Sequence, residues 1–323
     1  MRLYSSDGRR KVLINPQKLM YLSALALVIV STLLFALISR PKEEPVTERK
    51  VSKKSFVPAP VLMGLEAYPV VSARAVLAVD MNSGITLYEK NPDSQLLPAS
   101  TTKIITALVA MDHYDSDEVL LVHDPTVAGK KMGLVYGEQM KAKDLIYALL
   151  VYSANDAAEV LAQNYPEGRG AFVREMNKLA AELSLTNSYF TNPAGLDGGE
   201  HVSTARDLIR VANVAMKDPA FANIVRQENG VVTSVDGKIV HRIETTNQLL
   251  GKVDGVFGVK TGWTENAREN LVSYIERDGR QVMIAMLASQ DRFGESEELI
   301  EWIFANYTWE DVVIPEMTTY SSE

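Results

Sequence analysis

The sequence contains no cysteine and only four histidines in 323 residues. Without cysteine there is no disulfide framework, no thiolate nucleophile and no metal site with cysteine ligands. The histidines show no HExxH or other close ligand spacing, so we expect neither a catalytic metal ion nor another cofactor. The net charge is −8, whereas nucleic-acid-binding proteins usually carry a basic stripe, and we therefore expect no nucleic-acid partner.

Long apolar runs are equally scarce, and a single uncharged one covers residues 19–39. Its roughly 21 residues are enough to cross a hydrocarbon core of about 30 Å as a helix. Basic residues outnumber acidic ones before it, which by the positive-inside rule predicts a cytoplasmic amino terminus and an external remainder. The run is longer than the apolar region of a signal peptide and no small-residue cleavage site follows. An uncleaved anchor is therefore favoured over a cleaved signal peptide or a buried core helix.

The rest of the chain is organised around this predicted anchor. Residues 40–66 are charged, contain proline and lack periodicity, which predicts a linker that holds a domain away from the membrane. The following residues have the pattern of one globular domain. The chain is thus predicted to contain a cytoplasmic tail (1–18), a transmembrane signal anchor (19–39), an extracytoplasmic linker (40–66), a catalytic domain (67–307) and a carboxyl-terminal tail (308–323).

Strand patterns lie at both ends of the globular region, with helical patterns between them. Residues 72–91 alternate as two strands around an Asn-Ser-Gly turn. Several amphipathic helical stretches follow, and strand-like runs return between residues 230 and 289 before a closing helix. This order predicts a mixed α/β (α+β) fold in which helices cover a sheet.

Without a thiol, a nucleophile must be Ser, Thr, Lys, a carboxylate or a metal-bound water. No GxSxG elbow is present to anchor a Ser-His-Asp triad, although the residues alone leave such a triad open. Ser100 and Lys103 are three residues apart at the start of a predicted helix, which places both on one face. Lys103 could take the serine proton if burial or a nearby cation lowered its pKa. The spacing alone also fits a helix N-cap followed by a solvated lysine, and Ser39 and Lys42 repeat it by chance.

Two further polar clusters interrupt apolar segments. Ser153 and Asn155 lie inside an apolar helical region, where polar side chains need partners; a turn between two helices is the alternative. Lys260, Thr261 and Gly262 lie in a strand-like run, where a glycine lets a ligand or another backbone come close. The alternative there is a strand end with a solvated lysine. Each cluster alone supports either interpretation.

In combination, the order S-x-x-K, S-x-N and K-T-G resembles that of the penicillin-recognising serine enzymes. The longer contexts are similar to those of the serine-type D-alanyl-D-alanine carboxypeptidases, the low-molecular-mass penicillin-binding proteins of peptidase family S11. The segments that carry this resemblance are LPASTTKIITALVAMD, LLVYSANDAAEVLA, TNPAGLDGGEHVSTARDLIRVA and GVFGVKTGWTENARENLV. The resemblance extends from about Ala73 to Asn306. It implies a β-lactamase/transpeptidase-like fold, with an antiparallel sheet flanked by helices and an all-helical lobe.

The resemblance also implies a role for each residue of the three motifs. Ser100 would be the acylated nucleophile and Lys103 its general base. Ser153 would relay the proton to the leaving amine, and Asn155 would hold the substrate peptide and Lys103. Lys260 would add positive potential that helps keep Lys103 neutral.

By the same resemblance, the third motif would bind the substrate carboxylate. Lys260 would attract this carboxylate and the Thr261 hydroxyl would hydrogen-bond it, beside Gly262. The backbone N–H groups of Trp263 and of the nucleophile would form the oxyanion hole, worth about 3 kcal/mol per donor. Arg292 falls where the family places an arginine for the terminal carboxylate, a task that suits guanidinium geometry. The alternative for this arginine is a solvated loop charge.

These roles imply a hydrolase that removes the terminal D-Ala from peptidoglycan stem pentapeptides and is inhibited by β-lactams. We expect it at the bacterial cytoplasmic membrane as a single-pass protein with its catalytic domain outside. A D,D-endopeptidase is the nearest alternative, and a β-lactamase or a non-catalytic peptidoglycan-binding module is a more distant one. No glutamate between the second and third motifs has the E-x-x-L-N context of a β-lactamase base.

Two residues near the motifs carry separate expectations. His201 matches a block of the family and is predicted to be structural rather than catalytic. Arg268 stands where the family often has glycine, in the turn after the third motif. The bulkier side chain leaves open both the geometry of that turn and a contact with substrate.

Overall fold

In the computed structural model the described residues are 15–39, 57–64 and 67–311. Most of the predicted cytoplasmic tail, most of the predicted linker and the end of the predicted carboxyl-terminal tail lie outside them. The chain divides into two compact units, residues 1–54 and residues 55–323.

The first unit contains one long apolar helix, α1, over Pro16–Ile38. The Asn15 side chain caps it by accepting a hydrogen bond from the Gln17 N–H. None of its residues is buried, which is inconsistent with a buried core helix. With a mean hydropathy of 2.5 over an 18-residue window, α1 is long and apolar enough to cross a membrane. A signal sequence has the same properties, so retention of the anchor stays a prediction.

The second unit contains all the other elements of the described residues. Its strands are β1 (Ala59–Leu62), β2 (Ala75–Asp80), β3 (Thr86–Lys90), β4 (Val119–Leu121), β5 (Gln139–Lys141), β6 (Asn229–Thr233), β7 (Val240–Glu244), β8 (Val256–Thr264), β9 (Arg268–Arg277), β10 (Arg280–Ser289) and β11 (Tyr307–Glu310). Its helices are a 3₁₀ turn (Ala99–Thr102), α2 (Lys103–His113), α3 (Ala142–Val151), α4 (Asn155–Asn164), α5 (Arg169–Glu182), α6 (Ala205–Met216), α7 (Pro219–Val225) and α8 (Arg292–Asn306).

Five of the strands form one antiparallel sheet in the order β3-β2-β10-β9-β8. Strand β10 returns from far along the chain to pair with β2, so that Ile284 lies opposite Ala78. Successive side chains of β10 face opposite sides of the sheet. Ile284 therefore packs in the cluster that contains α8, whereas Met283 and Ala285 pack in the cluster of the helical lobe. Because both faces are covered, this strand is a continuous apolar run. The predicted mixed fold, an antiparallel sheet flanked by helices with an all-helical lobe, is confirmed.

The helical lobe is built around α2. Its side chains Ile104, Ile105 and Val109 are buried, and α3, α4, α5 and α6 all contact this helix. Helix α6 is capped by Thr204, whose hydroxyl accepts a hydrogen bond from the N–H of Asp207 at 3.1 Å. The surrounding helices hold α2 inside the lobe, and the 3₁₀ turn that precedes it contacts strand β8 of the sheet.

Several short elements are absent from the sequence prediction. Strand β1 lies within the predicted linker and pairs with β11, most of which lies in the predicted tail. The ribbon β4–β5 stands apart from the main sheet, and α7 has only 7 residues. The ribbon β6–β7 also stands apart, but its strands lie in strand-like runs that the sequence does predict. Elements this short carry little periodic signal, which is why the pattern of the sequence does not reveal most of them. The predicted domain boundaries stay predictions.

A buried carboxylate fastens the loop that precedes β5 to the helical lobe. Asp156, in the first turn of α4, is fully buried and accepts hydrogen bonds from three consecutive backbone N–H groups. The donors are Met132 at 3.0 Å, Gly133 at 2.9 Å and Leu134 at 3.1 Å. The loop that contains these residues has little regular structure of its own, so this anchor fixes its position.

We expect Asp156→Ala to lower the free energy of unfolding by about 2–4 kcal/mol, because it leaves N–H groups without an acceptor. Urea unfolding of the full chain in detergent micelles, followed by tryptophan fluorescence, measures this in the second unit, which holds all 3 tryptophans. Asp117→Ala is the matched control, since this exposed aspartate pairs with Lys141 and Lys143 in solvent and should matter far less. Equal changes for the two variants would contradict the anchoring role of Asp156.

Candidate active site

The turn that carries Ser100 is clamped between two glycines. Ser100 lies in the 3₁₀ turn that runs directly into α2, which sets it one turn before Lys103. A Cβ on Gly195 would collide with the carbonyl of Ala99, and a Cβ on Gly262 would lie 2.9 Å from the carbonyl oxygen of Pro98. The turn therefore packs against a loop on one side and against strand β8 on the other, at distances that only glycine permits.

Lys103 is fully buried, and its amine contacts three oxygen atoms. Nζ lies 2.8 Å from Ser100 Oγ, 2.7 Å from Asn155 Oδ1 and 2.6 Å from the carbonyl oxygen of Ala194. The amide oxygen faces the lysine because Asn155 Nδ2 donates to the carbonyl of Ala128 at 2.7 Å. The oxygens of Asn155 and Ala194 can only accept, so they take the two N–H donors of a neutral amine. The lone pair of that amine is left for the hydroxyl of Ser100.

Desolvation favours the neutral state of this amine. Burial lowers the pKa of Lys103 to about 7, while the carboxylates of Glu159 and Asp156 act in the opposite direction. Burial also holds the pKa of Lys260 well below its usual value, and repulsion from Lys103 and Arg292 adds to this. Desolvation is the largest cause for both amines, and a contribution of Lys260 to the neutral state of Lys103 stays a prediction. A lysine that releases its proton near neutral pH can serve as a general base.

The second motif forms a break between two helices. Ser153 lies in the turn between α3 and α4, is buried, and has a φ of +69°, in the left-handed region. The N-cap position of α4 is Ala154, so the serine does not cap the helix. Its hydroxyl makes no hydrogen bond within the described part of the chain, whereas Asn155 is bonded on both ends of its amide. Ser153 thus presents a hydroxyl that is available to a ligand.

The third motif lies on β8, the edge strand of the main sheet next to Ser100. Lys260 is buried, and its amine donates to the carbonyl of Thr261 at 3.2 Å. The Thr261 hydroxyl contacts the Thr246 hydroxyl at 2.5 Å. Trp263 is 61% exposed, so its backbone is at the site while much of its ring is in solvent.

Arg292, the first residue of α8, reaches this same strand. Its Nη1 donates to the carbonyl of Gly262 at 2.8 Å, and its guanidinium lies over the ring of Phe293 at 4.6 Å. Its Nε is buried without a hydrogen-bond partner among the described residues. Arg292 is therefore not a solvated loop charge, which was the alternative left open by the sequence.

A cavity of about 540 Å³ brings most of the predicted site residues together. It is lined by Ser100, Gly129, Lys130, Ser153, Asn155, Ala194, Gly195, Leu196, Thr246, Thr261, Gly262, Trp263, Thr264, Glu265 and Arg292. Lys103 and Lys260 are buried behind this surface. Lys130 and Thr246 line the cavity but were not predicted from the sequence. Each lies in a loop outside the three motifs, where no sequence pattern indicates a site residue.

His201 and Arg268 fall outside the cavity lining. His201 is buried beneath the 3₁₀ turn, with Nε2 2.8 Å from Thr102 Oγ1 and Nδ1 accepting from the Thr191 N–H at 3.0 Å. Burial lowers the pKa of His201 to about 4, so the ring stays neutral and supports the turn. Arg268 is exposed and has a φ of +61°, the left-handed conformation that glycine adopts most easily, opposite Thr264 across the β8–β9 turn.

Four of the seven glutamates between the second and third motifs form ion pairs away from the cavity. Glu159 is paired with Arg169 at 2.7 Å. Glu167, Glu175 and Glu182 form exposed ion pairs with basic side chains of α5. None of these four described side chains lines the cavity, so none is placed as the deacylation base of a β-lactamase.

Comparison with known proteins gives one consistent family. The sequence profile of the D-alanyl-D-alanine carboxypeptidases matches residues 64–291. A D-alanyl-D-alanine carboxypeptidase of Mycobacterium tuberculosis is 34% identical over 243 residues, 72% of this chain and 82% of that protein. A D-alanyl-D-alanine endopeptidase of Pseudomonas aeruginosa is 31% identical over 76% of this chain and 81% of its own length. The crystal structure of the Streptomyces K15 DD-transpeptidase is 30% identical, with a TM-score of 0.70 over 74% of this chain and 100% of that one.

The pKa of Lys103 predicts how the reactivity of Ser100 depends on pH. When the pH is below the Lys103 pKa of about 7, the lysine is protonated and cannot accept the proton of the serine. Acylation should therefore slow as the pH falls. We expect the second-order rate constant for labelling by a fluorescent penicillin to be half-maximal near pH 7 and to fall about tenfold per pH unit well below it. Tryptophan fluorescence at each pH checks that the chain remains folded. A flat profile between about pH 5 and pH 9 would rule out Lys103 as the base.

Proposed function

This chain belongs to the D-alanyl-D-alanine carboxypeptidase family of serine peptidases, and we propose that it removes the terminal D-Ala of peptidoglycan stem pentapeptides through an acyl-enzyme on Ser100. The observation that carries this proposal is the set of contacts around the amine of Lys103. Two of its three partners can only accept, so when the amine is neutral its lone pair is left to accept the proton of the third partner, the Ser100 hydroxyl.

Acylation follows from this arrangement. Lys103 takes the proton of Ser100 as Oγ attacks the carbonyl carbon of the scissile amide. The backbone N–H groups of Ser100 and Trp263 stabilise the oxyanion, each donor being worth about 3 kcal/mol. The hydroxyl of Ser153 passes the proton from Lys103 to the nitrogen of the departing D-Ala, and the C–N bond breaks. Water then hydrolyses the ester and restores the serine.

The terminal carboxylate of the substrate is bound at β8. Lys260 adds positive potential in its protonated form, Thr261 donates its hydroxyl, and the guanidinium of Arg292, which lines the cavity beside Gly262, pairs with the carboxylate. Recognition of a free carboxylate favours a carboxypeptidase.

A D,D-endopeptidase is the second candidate, because a relative of that name is 31% identical to this chain. The two activities differ in whether the cavity accepts a chain that extends beyond the scissile bond. A free terminal carboxylate next to Arg292 belongs to the carboxypeptidase substrate, whereas a cross-linked peptide carries its carboxylate on a longer chain.

The apolar helix α1 fits a single-pass membrane anchor in a cell-wall enzyme. We propose that it lies in the bacterial cytoplasmic membrane with its amino terminus inside. The basic residues that precede it support this orientation. The second unit is then outside the cell membrane, where peptidoglycan stem peptides are found and β-lactams act.

Replacement of the nucleophile separates the candidate activities. With the full chain in detergent, we expect D-Ala release from a D-Ala-D-Ala pentapeptide and covalent labelling by a fluorescent penicillin. Both should fall to background in Ser100→Ala, while Thr126→Ala, an exposed residue outside the cavity, serves as the control that keeps both. Rapid penicillin turnover without D-Ala release would overturn the carboxypeptidase assignment. Penicillin labelling together with cleavage of cross-linked dimers, but without D-Ala release from the pentapeptide, would establish the endopeptidase.

Protease accessibility tests the proposed orientation. In spheroplasts of a bacterial host that express the full chain, an external protease should digest the second unit and leave a tag at the amino terminus intact. Permeabilised cells provide the control in which both are digested. Protection of the second unit in intact spheroplasts would reverse the proposed topology.

A further inference from the structure

Lys130 is a cation that lines the cavity, as Arg292 does, and its backbone is hydrogen-bonded to Asn155 of the candidate site. Its carbonyl accepts a hydrogen bond from the Asn155 N–H at 2.8 Å, and the nearby carbonyl of Ala128 accepts from Asn155 Nδ2 at 2.7 Å. The residue that orients the amine of Lys103 therefore also positions Lys130. The loop continues into the three N–H groups held by Asp156, so Lys130 is fixed from both sides.

The side chain of Lys130 contacts an aromatic ring and has no ion-pair partner among the described residues. Its Nζ lies 4.0 Å from the ring centroid of Tyr152, a cation–π geometry that restrains the chain. No carboxylate of the described residues lies within 4.0 Å of this ammonium, whereas Lys141 and Lys143 both pair with Asp117. Partial burial lowers the pKa of Lys130, while Glu244 acts in the opposite direction. Lys130 is thus an exposed cation on the cavity wall that is restrained by an aromatic ring and has no paired carboxylate, and it is available to an anion of the ligand.

We propose that Lys130 binds a second carboxylate of the substrate, carried by the peptide on the amino-terminal side of the scissile bond. This inference rests on the proposed function, in which Arg292 and Thr261 on the sheet side take the terminal carboxylate. Lys130 lies on the loop that is hydrogen-bonded to Asn155, whereas Arg292 is hydrogen-bonded to Gly262 of the sheet, and we assign the two cations to two different anions. The preferred substrate class is then a D-Ala-D-Ala peptide with a free upstream carboxylate rather than its carboxamide.

A matched pair of peptides tests this selectivity. N-acetyl-L-Glu-D-Ala-D-Ala and N-acetyl-L-Gln-D-Ala-D-Ala differ only in the upstream anion, and kcat/KM for D-Ala release is measured with the full chain in detergent. We expect the Glu peptide to be preferred about three- to fivefold, as for a partly exposed ion pair. Lys130→Gln should bring the ratio to about one and Lys130→Glu should reverse it. Lys131→Gln, at the neighbouring exposed lysine outside the cavity lining, should leave the ratio unchanged.

The proposal is overturned if the unaltered protein shows no preference, or if Lys130→Gln keeps the preference of the unaltered protein. Failure of the proposed function has a different signature: neither peptide releases D-Ala although Ser100 is labelled by penicillin. In that event the ratio of acylation rates by carbenicillin and benzylpenicillin decides the question, since these penicillins differ by one side-chain carboxylate. A ratio that drops in Lys130→Gln supports the proposal, and an unchanged ratio overturns it.

Discussion

The burial of one amine is the constraint on which the rest of the site depends. A charged lysine with no access to water would be strongly unfavourable, and Lys103 is instead surrounded by oxygens that suit a neutral amine. Each of its partners comes from a different segment: Ser100 from the 3₁₀ turn, Asn155 from α4 and Ala194 from a loop. The position of the amine therefore requires that the helical lobe and this loop are packed together around the first turn of α2.

The sheet supplies the other half of the cavity. Strand β8 is at the edge of the sheet, so one side of it is available to the 3₁₀ turn and to a ligand. Gly262 lets the two backbones approach, and Arg292 reaches across from α8 to the carbonyl of the same glycine. Arg292 thus lies on the sheet side of the cavity, whereas Lys130 lies on the loop bonded to Asn155 of the helical lobe. The nucleophile lies where the sheet and the helical lobe meet.

The sequence was informative where a pattern is long or chemically unusual. Strand β10 is a continuous apolar run because both of its faces are covered, and the polar residues around Ser153 mark a true break between helices. Strands β1 and β11 are short and partly exposed, so burial imposes little pattern on them. Arg292 could be placed in the site only by resemblance, and the sequence did not predict Lys130 there. The place of Lys130 in the cavity depends on long-range contacts of its loop, which no local spacing encodes.

The partners of Lys103 are widely separated along the chain, since Asn155 is 52 residues away and Ala194 is 91 residues away. In a newly made, unfolded polypeptide this lysine is hydrated and keeps its ordinary pKa near 10.4, so it is protonated at neutral pH. The serine is then no more reactive than any other serine. Tertiary folding alone therefore activates the nucleophile, and the serine has no special reactivity until the segments that carry Asn155 and Ala194 have packed around the lysine.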